Sequence, residues 1–481
     1  MRLDTTPFIL STSGSSQGED PDTRKLIRRH VMLGKNRGKK FPSRRKPRRK
    51  TASTAEEARL DDSHPLVAPG KSLSRIPQQV GSDLSSMAWA DSVDVSTMAV
   101  IMDFTHFTKK SMHLIEAYID FPHKDIEWIA AFITDAAWVH MMAFTSEAIL
   151  DVVRGRRMRP ADQRASPHFA RSMRLLRERL LGDDQMIPLT NSTVQVILAL
   201  ATHAKIHGEF EEARCHLMGL RRIVELRGGI HNFRPWPRLV LEILRTDIGL
   251  SIHGGTTPLF LQDPLTDPEW PYPLARFPHA IGYGHSDLLH PRCKFLESLD
   301  PDLRHAWRIL TSFSSRINEA TLNRGQIPRD LLIDTIASVM YSLLRMQFTQ
   351  GCLNELTRLG LLAFSTGVFL QWQQGFPMGP TSFPMAFRES LCQFGDAENF
   401  PHFMIWMLLI GEFAVFSTED KIWLHPWLRG NMKACGVRSW DDVRLILLSS
   451  PWIDIVHDNP GSGIFAEVYD TKYLREGVSE V

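Results

Sequence analysis

A chain of 481 residues, 43% hydrophobic and 23% charged, is long enough for two or three ordinary domains or one large helical one, with a sizeable core. Its five cysteines (Cys215, Cys293, Cys352, Cys392, Cys435) include no Cys-x-x-Cys pair, which excludes a disulfide framework and a cysteine zinc site and points to reduced, mostly buried thiols. The formal charge of +2 joins two unlike parts: residues 24–50 hold fourteen Lys or Arg and no acid, and without them 42 basic residues face 54 acidic ones, a net of −12.

Residues 1–90 are rich in Ser, Gly, Pro, Lys and Arg and poor in large apolar side chains. They cannot bury enough surface to offset the entropy of ordering, so a disordered basic arm is expected there. Leu26, Ile27, His30 and Val31 have helical spacing between a capping Asp22 or Thr23 and Gly34, so a short basic helix is expected when the arm is bound. The first residues lack the apolar core of a secretory signal.

From about residue 91 the period changes to that of helices. Residues 125–153 read as one nearly uninterrupted, buried helix. Residues 166–182 carry a Ser166 cap, Pro167 in the first turn and Gly182 past the end. Residues 192–206 gather Val194, Ile197, Leu198 and Ala201 on one face. After Gly208, residues 210–229 gather Ala213, Leu217, Leu220 and Val224, ending at Gly228 and Gly229 as a left-handed cap requires. The two helices form an αα-hairpin. Residues 251–300 read as a long irregular excursion dense in Pro and Gly, and further helices are predicted over 329–348, 355–372, 403–416 and 440–449. The apolar stretch 403–416 is too short to span a bilayer and contains Glu412. Alternating strands are nearly absent. The expectation is one large all-α multi-helix domain over 91–481 behind the arm.

Candidate chemistry is thin. His203 and His207 lie four apart, but Ala204 follows His203 and breaks the metalloprotease pattern, so a polar helix end is the reading. The glycines of 282–284 and 461–463 read as turns, and Asp441–Asp442 as acids complementing a helix dipole. Trp128, Trp138, Trp406, Trp423 and Trp427 read as core. No catalytic residue, metal ligand or cofactor is assigned.

Several segments together resemble the fungal-specific transcription factor domain: 168–184, 197–230, 361–371, 403–416 and 450–468, in that order. The run carried by His216, Leu217, Gly219, Leu220, Val224, Arg227, Gly228 and Gly229 is the most specific part. The resemblance spans roughly four-fifths of the chain and includes the stretch around Arg28, Arg29, Lys35, Arg37, Lys39 and Lys40. It implies an α-helical regulatory region in a nuclear regulator or co-regulator of transcription serving a fungal pathway such as secondary metabolism. Members that read DNA carry six cysteines binding two zinc ions ahead of this region. Here the first cysteine is Cys215, which excludes that reader.

The arm then reads as a two-part nuclear import signal, continued by Arg44, Arg45, Lys46, Arg48, Arg49 and Lys50. Its expected partners are an import receptor and other transcription regulators, with homo- or heterodimers open. Nucleic acid is expected to bind weakly and without sequence preference, because the arm offers phosphate contacts and no rigid reading element; no membrane partner is expected. Two other classes stay open: a helical enzyme or accessory protein of secondary metabolism, and a cytoplasmic scaffold whose arm binds RNA or an acidic surface.

Overall fold

The computed structural model describes residues 89–107, 114–121, 126–153, 166–182, 189–260, 291–370 and 382–469. The chain divides into two units, Met1–Gln78 and Gln79–Val481, and every described residue belongs to the second. The arm, the import-signal residues and the glycines of 282–284 lie outside the described residues.

The second unit is all-α. Its helices are α1 (Val95–Phe107), α2 (Ile126–Thr134), α3 (Ala136–Val153), α4 (Pro167–Leu181), α5 (Asn191–Ile206), α6 (Phe210–Leu226), α7 (Pro237–Gly254), α8 (Pro301–Asn323), α9 (Arg329–Thr335), α10 (Tyr341–Arg345), α11 (Leu353–Ser365), α12 (Ser382–Gln393), α13 (Pro401–Ala414), α14 (Lys421–Ala434), α15 (Trp440–Leu447) and α16 (Asp454–Tyr469). Extended structure among the described residues is one two-residue parallel pair, Ile119 facing Ile327 and Asp120 facing Pro328. No helix among them is long and apolar enough to cross a membrane.

The core is one cluster to which helices from α1 to α16 contribute, and α8 and α13 meet within it. Trp307 and Trp406 are buried and pack edge to face, ring centroids 4.6 Å apart. Their indole N–H groups donate to Ser449 O and Pro451 O at 3.3 and 2.8 Å, so each buried ring satisfies its one polar atom on the same loop. Phe403 to Gly411 are buried without interruption, which is why 403–416 reads as apolar on all sides.

Several expectations need correction. Residues 126–153 form two helices, because the Asp135 carboxylate accepts from Trp138 N at 3.1 Å and caps α3. The expected excursion of 251–300 overlaps regular structure at both ends: α7 runs to Gly254 and a 3₁₀ segment covers Pro291–Ser298, while 261–290 lie outside the described residues. Gly461 and Gly463 lie inside α16, not in a turn. A Cβ on Gly461 would come 2.4 Å from the Trp440 ring, so that glycine allows α15 and α16 to approach. Cys215 and Cys392 are exposed rather than buried, and Cys352 and Cys435 are half-buried. Trp138 and Trp406 are buried, whereas Trp423 and Trp427 are only partly so.

Candidate functional site

The residues singled out in the sequence gather on the α5–α6 hairpin. Val194, Ile197, Leu198 and Ala201 of α5 are buried, as are Ala213, Leu217, Leu220 and Val224 of α6. Leu217 and Leu220 are both 0% exposed. Gly208 turns the chain between the helices at φ 78°. Gly228 and Gly229 follow α6 at φ 86° and 101°, a region where a side chain is strained.

Arg227 explains why the end of this motif is rigid. Its Nη1 donates to Asn191 Oδ1 at 2.7 Å and Leu189 O at 3.2 Å, tying the end of α6 to the start of α5. Its guanidinium lies 3.8 Å from the centre of the Phe233 ring and 5.1 Å from that of Trp236, just ahead of α7. Asn232 Nδ2 donates back to Arg227 O at 2.7 Å. One side chain therefore fixes α5, α6 and α7 together. His216 is half-buried, which lowers its pKa, while Gly219 is exposed.

His203 departs from the expected polar helix end. It is buried against Phe144, centroids 4.5 Å apart, and against His207 at 4.3 Å. Burial, with His207 and His216 nearby, holds its pKa down to about 3, so the ring stays neutral.

Four further polar clusters were not found in the sequence. Arg245, 1% exposed, donates to Phe369 O at 2.8 Å and Glu242 Oε1 at 3.0 Å and faces Glu116 Oε1 at 2.6 Å. Two residues on, Asp247 accepts from Leu259 N, Phe260 N and the Tyr341 hydroxyl at 2.7, 3.0 and 2.8 Å. Burial pushes its pKa up to about 6, while those bonds pull the other way. Around α3 and α4, His140 Nδ1 and His168 Nδ1 lie 2.8 Å apart, so one must donate and the other accept. His140 Nε2 lies 3.2 Å from Asp91 Oδ2, which Arg171 also binds at 3.0 Å.

The fourth cluster joins α13, α14 and α16. His425 Nε2 lies 3.1 Å from both Glu412 oxygens, with Glu467 close enough to complete a three-donor set. Such donors suit a divalent cation. Lys421, however, places Nζ 2.6 Å from Glu467 Oε2 and 3.5 Å from Glu412 Oε1. The chain's own ammonium thus pairs with both carboxylates of the set. Burial disfavours its charge, but Glu467 and Glu412 raise its pKa overall.

These clusters tie helices to one another. The signal for Arg245 and Asp247 is present in the sequence as charges inside the apolar run LEILRTDIGLSI, where only a partnered charge is tolerated. A groove of about 350 Å³ opens between α8, α15 and the start of α16, lined by Asn318, Arg444, Leu445, Leu448, Trp452 and Asp454 among others. Arg444 is bound to Asp458 at 3.0 Å and Asp454 at 3.4 Å, so the groove's central cation is already partnered. No family model, curated protein or solved structure matches this chain.

Proposed function

We propose that this chain is a nuclear transcriptional regulator or co-regulator of a fungal pathway, with secondary metabolism as the candidate setting. It acts through its helical body as an interaction scaffold and does no chemistry of its own. The observation that carries this reading is the division of charge: fourteen cations without one acid in residues 24–50, ahead of a chain otherwise at −12. Such a segment is what an import receptor reads, and it is unusual for a neutral spacer. The resemblance of the His216–Gly229 run to the fungal-specific transcription factor domain supports the same reading.

In this reading Arg28, Arg29, Lys35, Arg37, Lys39, Lys40 and the 44–50 cluster contact the import receptor. Promoters are reached through other transcription regulators, since the six-cysteine reader is missing from the sequence. A fluorescent fusion tests it directly. Replacing Arg44, Arg45, Lys46, Arg48, Arg49 and Lys50 with Ala is expected to move the fusion from the nucleus to the cytoplasm. An unchanged nuclear signal would overturn the import reading. Cytoplasmic signal from the intact protein would favour a scaffold or an enzyme.

A further inference from the structure

Helix α6 buries one side in the hairpin and leaves the other to solvent. Glu211, Cys215, Met218, Gly219, Arg222 and Leu226 are all exposed and, at about 100° per residue, share one stripe. Met218 and Leu226 are 55% and 56% exposed. Gly219 stands at the middle of the helix, and among the described residues nothing lies within 4 Å of a Cβ built there. A mid-helix glycine costs about 1 kcal/mol relative to alanine, and no internal packing of the described residues requires it.

We propose that this face is a two-fold interface between two copies of the chain, with α6 antiparallel to its counterpart and crossing at Met218–Gly219. This rests on the geometry of α6 and not on the functional reading above. About an axis between residues 218 and 219, Met218 of each copy fits the place left by Gly219 of the other. The same operation sets Arg222 opposite Cys215 and one turn from Glu211, so each copy offers a cation where the other offers an acid. Within its own copy Arg222 reaches Glu225 only at 3.5 Å, while Arg221 holds that carboxylate more closely at 2.9 Å, so the pair between copies competes with a weak, exposed one. The match is isologous, as a two-fold dimer requires. One helix face is small for an interface, which makes the dimer weak and reversible.

Sedimentation of the full-length protein across a concentration series tests this. A monomer–dimer equilibrium is expected, and Gly219→Arg should abolish it without lowering the melting temperature, since position 219 is exposed and open around its Cβ. Glu211→Arg and Arg222→Glu should each weaken the dimer by tenfold or more, and the double variant should restore it. With Cys215 and Cys392 replaced by Ser, Met218→Cys should form an interchain disulfide on mild oxidation, because the two sulfurs would face each other at the axis. A protein that stays monomeric overturns the proposal. So does a dimer indifferent to Gly219→Arg, which must form through another surface.

Discussion

The ammonium of Lys205 occupies the space where Gly249 lacks a side chain: a Cβ built on Gly249 would lie 2.5 Å from Lys205 Nζ. Lys205 is on α5 and Gly249 on α7, so this contact sets how closely the hairpin approaches the central helix. Leu370 is also within 3.7 Å of that Cβ position, which leaves little room on the other side. Gly249→Val should therefore displace the lysine and lower stability by about 2 kcal/mol, although valine is otherwise acceptable in a buried helix. Thermal unfolding of this variant beside Gly249→Ala is the check, with the larger loss expected for Val.

Burial lowers the Lys205 pKa to about 8, with Glu242 pulling upward. In the unfolded chain the amine titrates near 10.5. Between those values the unfolded state binds a proton that the folded state has released, so folding stability rises with pH across that window. Lys205 as a whole is half-buried, which reduces the effect to ~1–3 kcal/mol. Lys205→Met should be more stable than the parent at pH 7 and should lose the rise between pH 8 and 10.5. Equal pH profiles for the two proteins would show that the amine is solvated.

Below pH 7 a different set of groups takes over. Burial holds His203 and His457 to about 3 and His253 to about 4, against 6.5 when unfolded. From pH 6.5 down to about 4 these three rings take up protons only on unfolding, which lowers stability as the pH falls. Asp247 and Asp334 oppose them: burial raises both to about 6, so between pH 6 and 4 the folded state holds their protons and gains stability. Among these five groups the net uptake on unfolding is about one proton, a contribution near 1.4 kcal/mol per pH unit. Asp247→Asn removes one opposing proton and should steepen the slope by about 1.4 kcal/mol per pH unit. Chemical denaturation at half-unit pH steps measures both.

The hairpin was legible in the sequence because its two apolar faces repeat cleanly and its turns use Gly208, Gly228 and Gly229, whose φ values of 78°, 86° and 101° need glycine. Helices α7, α8 and α16 were harder to read for opposite reasons. Pro237 and Pro301 look like breakers but occupy first-turn positions, where their missing N–H costs nothing. Pro460, Gly461 and Gly463 look like a turn, yet packing of Gly461 under Trp440 keeps α16 continuous. The internal ion pairs escaped because their partners are remote: Arg245 meets Glu116 and Phe369, more than a hundred residues away on either side. Pattern reading finds periodicity; it does not find which distant helix supplies the countercharge.

Two substitutions test whether the motif of the hairpin holds the body together. Leu220, 0% exposed, faces α5, so Leu220→Asp places an unpaired charge in the core and should cost roughly 3 kcal/mol or more. Arg227→Ala removes two hydrogen bonds and the stacking on Phe233 and Trp236, with an expected loss of about 2–3 kcal/mol. Arg227→Lys should recover little of this, because an ammonium cannot reach both acceptors while lying flat on a ring. Full rescue by lysine would mean that charge alone matters at this position.

If the proposed function holds, the chain alone should bind DNA weakly, with strong salt dependence and near indifference to sequence. The arm provides phosphate contacts, while the rest of the chain, at −12, opposes approach to a polyanion. Engagement of about six of the fourteen cations would give a log–log salt slope near −5, at roughly −0.9 per contact. Titrating the purified protein against two unrelated duplexes over a salt series should return steep, parallel curves. A preference of ~1,000-fold for one duplex at moderate salt would mark a site-specific reader and locate a DNA-binding element inside the helical body. Parallel curves leave recruitment by a partner regulator as the proposed route to a promoter.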